Sequence, residues 1–124
     1  MADVEVRVGD VRLEAELFDT ETAKAVERAL PIEVSFEAWG DEFYFEVPVE
    51  LGLDETATSR VKVGDIGYWP PGRAVAIFFG PTPMSAGDEP VPASDVNLIG
   101  RIKGDPRVLK SVKGAGKISI DIAV

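Results

Sequence analysis

At 124 residues and a net charge of −9, the chain has the length of one domain with one hydrophobic core. It contains no cysteine and no histidine, which excludes disulfides, thiolate nucleophiles, imidazole bases and the usual zinc ligands. The acidic balance argues against a nucleic-acid partner, because phosphate contacts need Lys and Arg on the contacting face.

Amide side chains are almost absent: Asn97 stands alone and there is no Gln. Depletion of Asn, Gln and Cys together is a habit of proteins that work hot, so a thermophilic source is expected. The longest apolar run, Ala74 to Phe79, is far short of the ~20 residues that span a bilayer, so no membrane partner is expected. Met1 to Val8 carries Asp3 and Glu5 and no basic start followed by an apolar stretch, which makes a cytoplasmic location the expectation.

In chain order, Val4, Val6 and Val8 alternate with charged residues, and Val11, Leu13, Ala15 and Leu17 continue in the opposite parity. Gly9-Asp10 between them suits a two-residue hairpin loop. Pairing Val8 with Val11 sets Val6 opposite Leu13 and Val4 opposite Ala15, giving one apolar face. It also opposes Arg7 to Arg12 and Glu5 to Glu14, with the attractive pairs on the diagonals. Asp19 or Thr20 can cap a short helix through Leu30, with Ala23, Val26 and Leu30 on one side and Pro31 ending it.

A second hairpin is expected, turning at Gly40-Asp41, with Ala38 opposite Phe43, Phe36 opposite Phe45 and Val34 opposite Val47. Pro48 ends the returning strand or leaves it an open edge. After a loop from Leu51 to Ser59, Arg60 to Trp69 reads as a strand bent or bulged at Gly64 and Gly67. Pro70-Pro71-Gly72 is a turn whose Pro71 and Gly72 fit the central positions of type II. Ala74 to Phe79, apolar on both faces, predicts a central strand covered on each side. Gly80 to Ser94 contains four prolines and reads as a long loop.

Val96 to Ile102 is a further strand. Asp105-Pro106 caps a second short helix that ends near Lys110 and Lys113. Ile118, Ile120, Ile122 and Val124 form the last strand. About seven strands with two short helices favour a barrel over a sandwich, because closure removes exposed edges.

Charge is unevenly spread: residues 1–100 carry a net −13 and residues 101–124 a net +4. Arg101, Lys103, Arg107, Lys110, Lys113 and Lys117 form either an anion-attracting patch or a counterweight packed against the acidic body.

The segment from Gly64 to Arg73 (Gly-Asp-Ile-Gly-Tyr-Trp-Pro-Pro-Gly-Arg), running on through Ala74-Val-Ala-Ile-Phe-Phe-Gly-Pro-Thr-Pro83, resembles the signature of the prokaryotic cyclophilin-like proteins, a domain family of unknown function. The resemblance implies a mainly β fold: a cyclophilin-like closed β-barrel with two short helices, forming a single domain over residues 1–124. Cyclophilins proper are prolyl isomerases that bind an X-Pro peptide in a groove on the barrel, with an arginine in a Phe-His-Arg type motif and a nearby Gln and His. This chain has no His, no Gln and no such motif, so no catalytic residue is carried over.

Tyr68, Trp69, Phe78, Phe79 and Met84 gather around one turn and the loop after the central strand. They either line an apolar groove, with an indole N–H and a phenol as directing groups, or fill the barrel. Phe78 and Phe79 must face opposite ways. Arg73 either binds a carboxylate or carbonyl or pairs with an acid such as Asp65. The expected ligand-binding set is therefore Tyr68, Trp69, Arg73, Phe78 and Met84, with no metal and no cofactor. The acids between Ala29 and Ser59, Glu42 among them, read as a solvated face. Trp39 and Tyr44 point outward, under a helix or toward a partner.

Three functional readings follow. The first is a binding module for a proline-containing peptide or small molecule. The second is a weak or divergent peptidyl-prolyl isomerase relying on Arg73. The third is an assembly subunit of a larger enzyme, meeting a protein partner through Trp39 and the basic tail.

Overall fold

The structure, a computed structural model, describes residues 1–123; Val124, the last apolar position of the expected final strand, lies outside the described residues. Strands β1 (Ala2–Val8) and β2 (Val11–Leu17) pair in the register that the apolar alternation dictates, Val8 with Val11, Val6 with Leu13 and Val4 with Ala15. Burial thus overrides the like-charge pairs Arg7–Arg12 and Glu5–Glu14. Arg7 escapes the repulsion along its own strand, where its Nε donates to Glu5 at 2.6 Å, rather than on the diagonal. Thr20 then caps α1 (Glu21–Arg28) by accepting from the Ala23 N–H, and Ala23 and Val26 dock on the barrel.

The second hairpin is where the chain departs from the simple alternation. Strand β3 (Ile32–Ser35) pairs with β9 (Lys117–Ile122), so Val34 faces Ile118 and not Val47. Only the next piece, β4 (Glu37–Ala38), meets β5 (Glu42–Glu46), with Ala38 opposite Phe43 as expected. The hinge is Phe36, whose N–H leaves the hairpin and donates to the Gly116 carbonyl at 3.1 Å. One bent run of chain therefore joins both edges of the sheet; with β6 (Asp65–Trp69), β7 (Ala74–Phe78) and β8 (Asn97–Ile102), the sheet order is β3-β9-β1-β2-β8-β6-β7-β5-β4. Edge removal is the physical reason: a straight hairpin would leave β9 as an unpaired edge. The product is a nearly closed, mainly β barrel.

The remaining wall is β6, β7 and β8. β6 is shorter than the expected strand from Arg60, because Gly64 takes a left-handed φ of 98° and turns the chain into the sheet. A register shift falls between Ile66 and Gly67 against β8. The Pro-Pro-Gly bend is a 3-10 turn closed by Arg73 N–H to the Pro70 carbonyl at 3.0 Å. A type II turn would need a positive φ at Gly72; here Arg73 takes it, at 48°. The late helix, Pro106–Val112, is likewise 3-10, capped by the Asp105 side chain. Its three-residue repeat stacks Pro106, Leu109 and Val112 on one side, and Leu109 and Val112 are buried.

The interior is filled by Val4, Val6, Val8, Phe43, Phe45, Ile66, Val75 and Ile77 with their neighbours. Phe43 sits between Phe36 and Phe79, at ring-centre distances of 4.3 and 4.7 Å. β7 is buried on both sides, as its apolar run predicted. Val75 and Ile77 face the interior, while Ala76 and Phe78 join Val61 and Val96 in a second, smaller cluster on the outer wall. The long segments 51–62 and 80–96 lie over that wall. Asn97, fully buried, anchors the first of them: its side chain accepts from Asp54 N–H and donates to the Gly52 carbonyl and the Thr22 hydroxyl. Burial works to raise the Asp54 pKa, but hydrogen bonds from Thr56 and Thr22 outweigh it and hold the carboxyl below its ordinary value.

The basic tail packs largely against acids. Lys113 and Lys110 converge on Asp41 at 2.6 and 3.4 Å, and Lys103 meets Asp3 at 2.6 Å. Burial would raise the Asp41 pKa, yet the two lysines overcome it and the carboxyl titrates below its usual value. None of the described helices is long and apolar enough to cross a membrane.

Candidate functional site

The outer wall carries the most distinctive cavity among the described residues. Strand parity sends Glu42, Tyr44 and Glu46 of β5 outward, opposite Phe78, Ala76 and Ala74 of β7. On β6 the same parity puts Gly67 and Trp69 outward, opposite Ala76 and Ala74. The centre of this patch consists of small residues, so the rings of Tyr44 and Trp69 stand up on either side of a depression. Trp39 closes it from the hairpin turn, where its N–H donates to the Glu42 carbonyl at 2.9 Å. Pro92, Ala93 and Val96 of the long loop form the remaining rim. The cavity volume is about 220 Å³. That is the space of roughly seven waters at ~30 Å³ each, fit for a side chain or a fragment rather than a large cofactor.

Two contacts set the Trp69 indole. Its Nε1–H donates to Ser94 Oγ at 2.7 Å, tying the loop rim to the wall. Gly72 lies under the ring: a Cβ there would come within 2.8 Å of the indole edge. Gly67 acts similarly below Val96, where a Cβ would meet the valine methyl at 2.8 Å. These two glycines let the tryptophan and the rim lie flat against the sheet.

Glu42 is the chemically unusual member. It is 7 % exposed, its Oε1 has no hydrogen-bond partner, and no basic residue lines the cavity. Burial alone pushes its pKa up to about 7 from an ordinary 4.5. An acid in that position holds its proton at neutral pH about as often as it loses it.

Of the residues expected at a ligand site, Trp69 alone lines this cavity. Tyr68 is fully buried inside the barrel, where its hydroxyl donates to the Val49 carbonyl and accepts from the Leu51 N–H. Phe78 is fully buried in the outer-wall cluster beside Glu42, and Phe79 faces the interior, so the two do point opposite ways. Met84 stands 57 % exposed in the long loop. Arg73 is exposed and approaches Glu50 at 3.7 Å, not Asp65, whose carboxylate accepts from the Lys62 N–H. The indole N–H expected to direct a ligand is occupied by Ser94, and the Tyr68 phenol by the backbone.

Trp39, Tyr44 and Glu42 complete the cavity in their place. The signal for the first two was their outward parity on an otherwise acidic hairpin face. Glu42 carried none, since alternation placed it on the same face as the exposed Glu46, and the loop that buries it comes from some fifty residues later. The acidic stretch is accordingly not uniformly solvated. No group of His, Cys, Asp and Glu suited to hold a metal ion occurs among the described residues.

The comparisons with known proteins agree with this architecture. None of the curated proteins is similar to the chain. Among solved structures it is similar to the solution structure of the hypothetical protein AF2241 from Archaeoglobus fulgidus, with 38% sequence identity and a TM-score of 0.82 over 98% of this chain and 95% of that one. The family model described as Cyclophilin-like matches residues 2–121, nearly the whole barrel; the chain belongs to the cyclophilin-like family.

Proposed function

We propose that this chain is a cytoplasmic binding module whose outer-wall cavity takes a proline-containing peptide or a small molecule without turning it over. The observation that carries the reading is the preformed apolar cavity between Trp39, Tyr44 and Trp69, whose rim is tied down by the Trp69–Ser94 hydrogen bond. Prolyl and other compact apolar groups stack well on aromatic faces, and a cavity of this size suits one such group. Ser94 also borders a second depression, lined by Leu53, Pro70, Pro71, Ser94 and Asp95, which would let an extended peptide continue past the Trp69–Ser94 hydrogen bond. Isomerase activity is disfavoured because the cavity is lined by no cationic or amide donor that could stabilise the twisted imide, and Arg73 is directed to Glu50.

Both tryptophans of the chain line the cavity, so intrinsic fluorescence reports on it alone. Titration with the capped peptide Ala-Ala-Pro-Ala should shift the emission saturably, and capped Ala-Ala-Ala-Ala should do so at least fivefold more weakly. A coupled isomerisation assay should show the uncatalysed rate. Emission unchanged up to millimolar peptide, or turnover abolished by Trp69→Ala, would contradict the proposal.

A further inference from the structure

The cavity holds a feature that an apolar ligand leaves unsatisfied. A carboxyl that is more than nine-tenths buried with an unpartnered oxygen is costly in any fold unless something supplies a donor or a counter-charge. From its own strand Glu42 faces Tyr44; from β7 it faces Phe78; from the rim it faces Pro92, Ala93 and Val96. None of these is a cation. The neighbouring Asp41 is engaged with Lys110 and Lys113, and those lysines do not line the cavity. The protein therefore supplies no partner of its own. Three aromatic rings surround the same space, and aromatic faces attract cations while also accommodating alkyl groups.

We infer that the cavity recognises an alkylated ammonium group bearing at least one N–H, which pairs with the Glu42 carboxyl while its carbon atoms pack on Trp39, Tyr44 and Trp69. This rests on the binding reading above and narrows it: the preferred ligand presents a compact secondary or tertiary amine, whether a free amine or the ammonium terminus of a peptide. The charge balances by one proton. Where Glu42 is protonated, it must release that proton as the cation enters, so affinity rises with pH until the carboxyl is fully ionised. Tyr44 is the other titratable group lining the cavity.

Pyrrolidinium tests the inference, followed by tryptophan emission at pH 8. Its neutral isostere tetrahydrofuran and the N,N-dimethyl cation, which has no N–H, serve as comparisons. The expected order is pyrrolidinium first, by about tenfold over tetrahydrofuran, with the dimethyl cation between them. Pyrrolidinium affinity should fall about tenfold from pH 8 to pH 6, and Glu42→Gln should remove both the preference and the pH dependence. Equal affinity for pyrrolidinium and tetrahydrofuran in a protein that still binds capped Ala-Ala-Pro-Ala would overturn the cation inference and leave the binding module standing. No binding of any probe to the folded protein would overturn both. N-terminal prolyl peptide binding more tightly than free pyrrolidinium would assign the amine to a peptide end, and equal affinity to a free amine; either supports the inference.

Discussion

Glu42→Gln should stabilise the protein at pH 8, by on the order of 2 kcal/mol. In the folded state the carboxyl titrates near 7, and in the unfolded chain near 4.5. Between those values the folded state holds the proton and the unfolded state does not, so stability falls as pH rises through that window, and this proton-linked contribution is fully lost above it. At 1.36 kcal/mol per pH unit the penalty is about 3 kcal/mol, and desolvating the glutamine amide takes back roughly 1 kcal/mol. Urea unfolding at pH 5 and pH 8 checks both parts: the wild type should lose stability across the interval relative to the variant. A variant that is equally or less stable at pH 8 would mean that Glu42 has a partner in solution. A residue that weakens the fold where it stands is what a ligand site retains and a structural surface does not.

The second large effect lies at the seam of the barrel. Phe43→Ala should cost about 3–5 kcal/mol, the range for truncating a buried phenylalanine. Phe43 is fully buried and packs between Phe36, the hinge where the chain leaves β3 for β4, and Phe79, which follows β7. Its removal opens a void at the point where one bent run joins both edges of the sheet. Thermal and urea unfolding should show the loss, and amide exchange should increase first in β3 and β4. A cost below 1 kcal/mol would mean that the seam is held by backbone pairing alone.

The parts of this fold that could be read from sequence are those governed by neighbours along the chain. Alternation of Val4, Val6 and Val8 against Leu13 and Ala15 leaves one register that buries them all, and the structure has it. The apolar run of β7 demanded cover on two sides and received it from the interior and from Val61 and Val96. The closure was not legible, because Val34 has two apolar candidates of equal merit, Val47 across the turn and Ile118 some eighty residues away. Only the need to satisfy two sheet edges at once decides between them.

The cavity divides along the same line. Trp69 could be singled out as one of the aromatic residues gathered around the Pro-Pro-Gly bend. Trp39 and Tyr44 could be seen to point outward but had nothing visible to line. Glu42 looked like any strand-face acid until the loop containing Pro92 and Ala93 was folded over it. Tyr68 could be read as lining a groove or filling the barrel; its hydroxyl finds two backbone partners inside the barrel, so a polar tip did not require solvent.

The most direct test is the titration of the Glu42 carboxyl carbon by NMR in the ligand-free protein. A buried, unpartnered acid at the aromatic cavity predicts a single midpoint near 7 that moves down when pyrrolidinium is present. A midpoint near 4.5, unmoved by the amine, would contradict it.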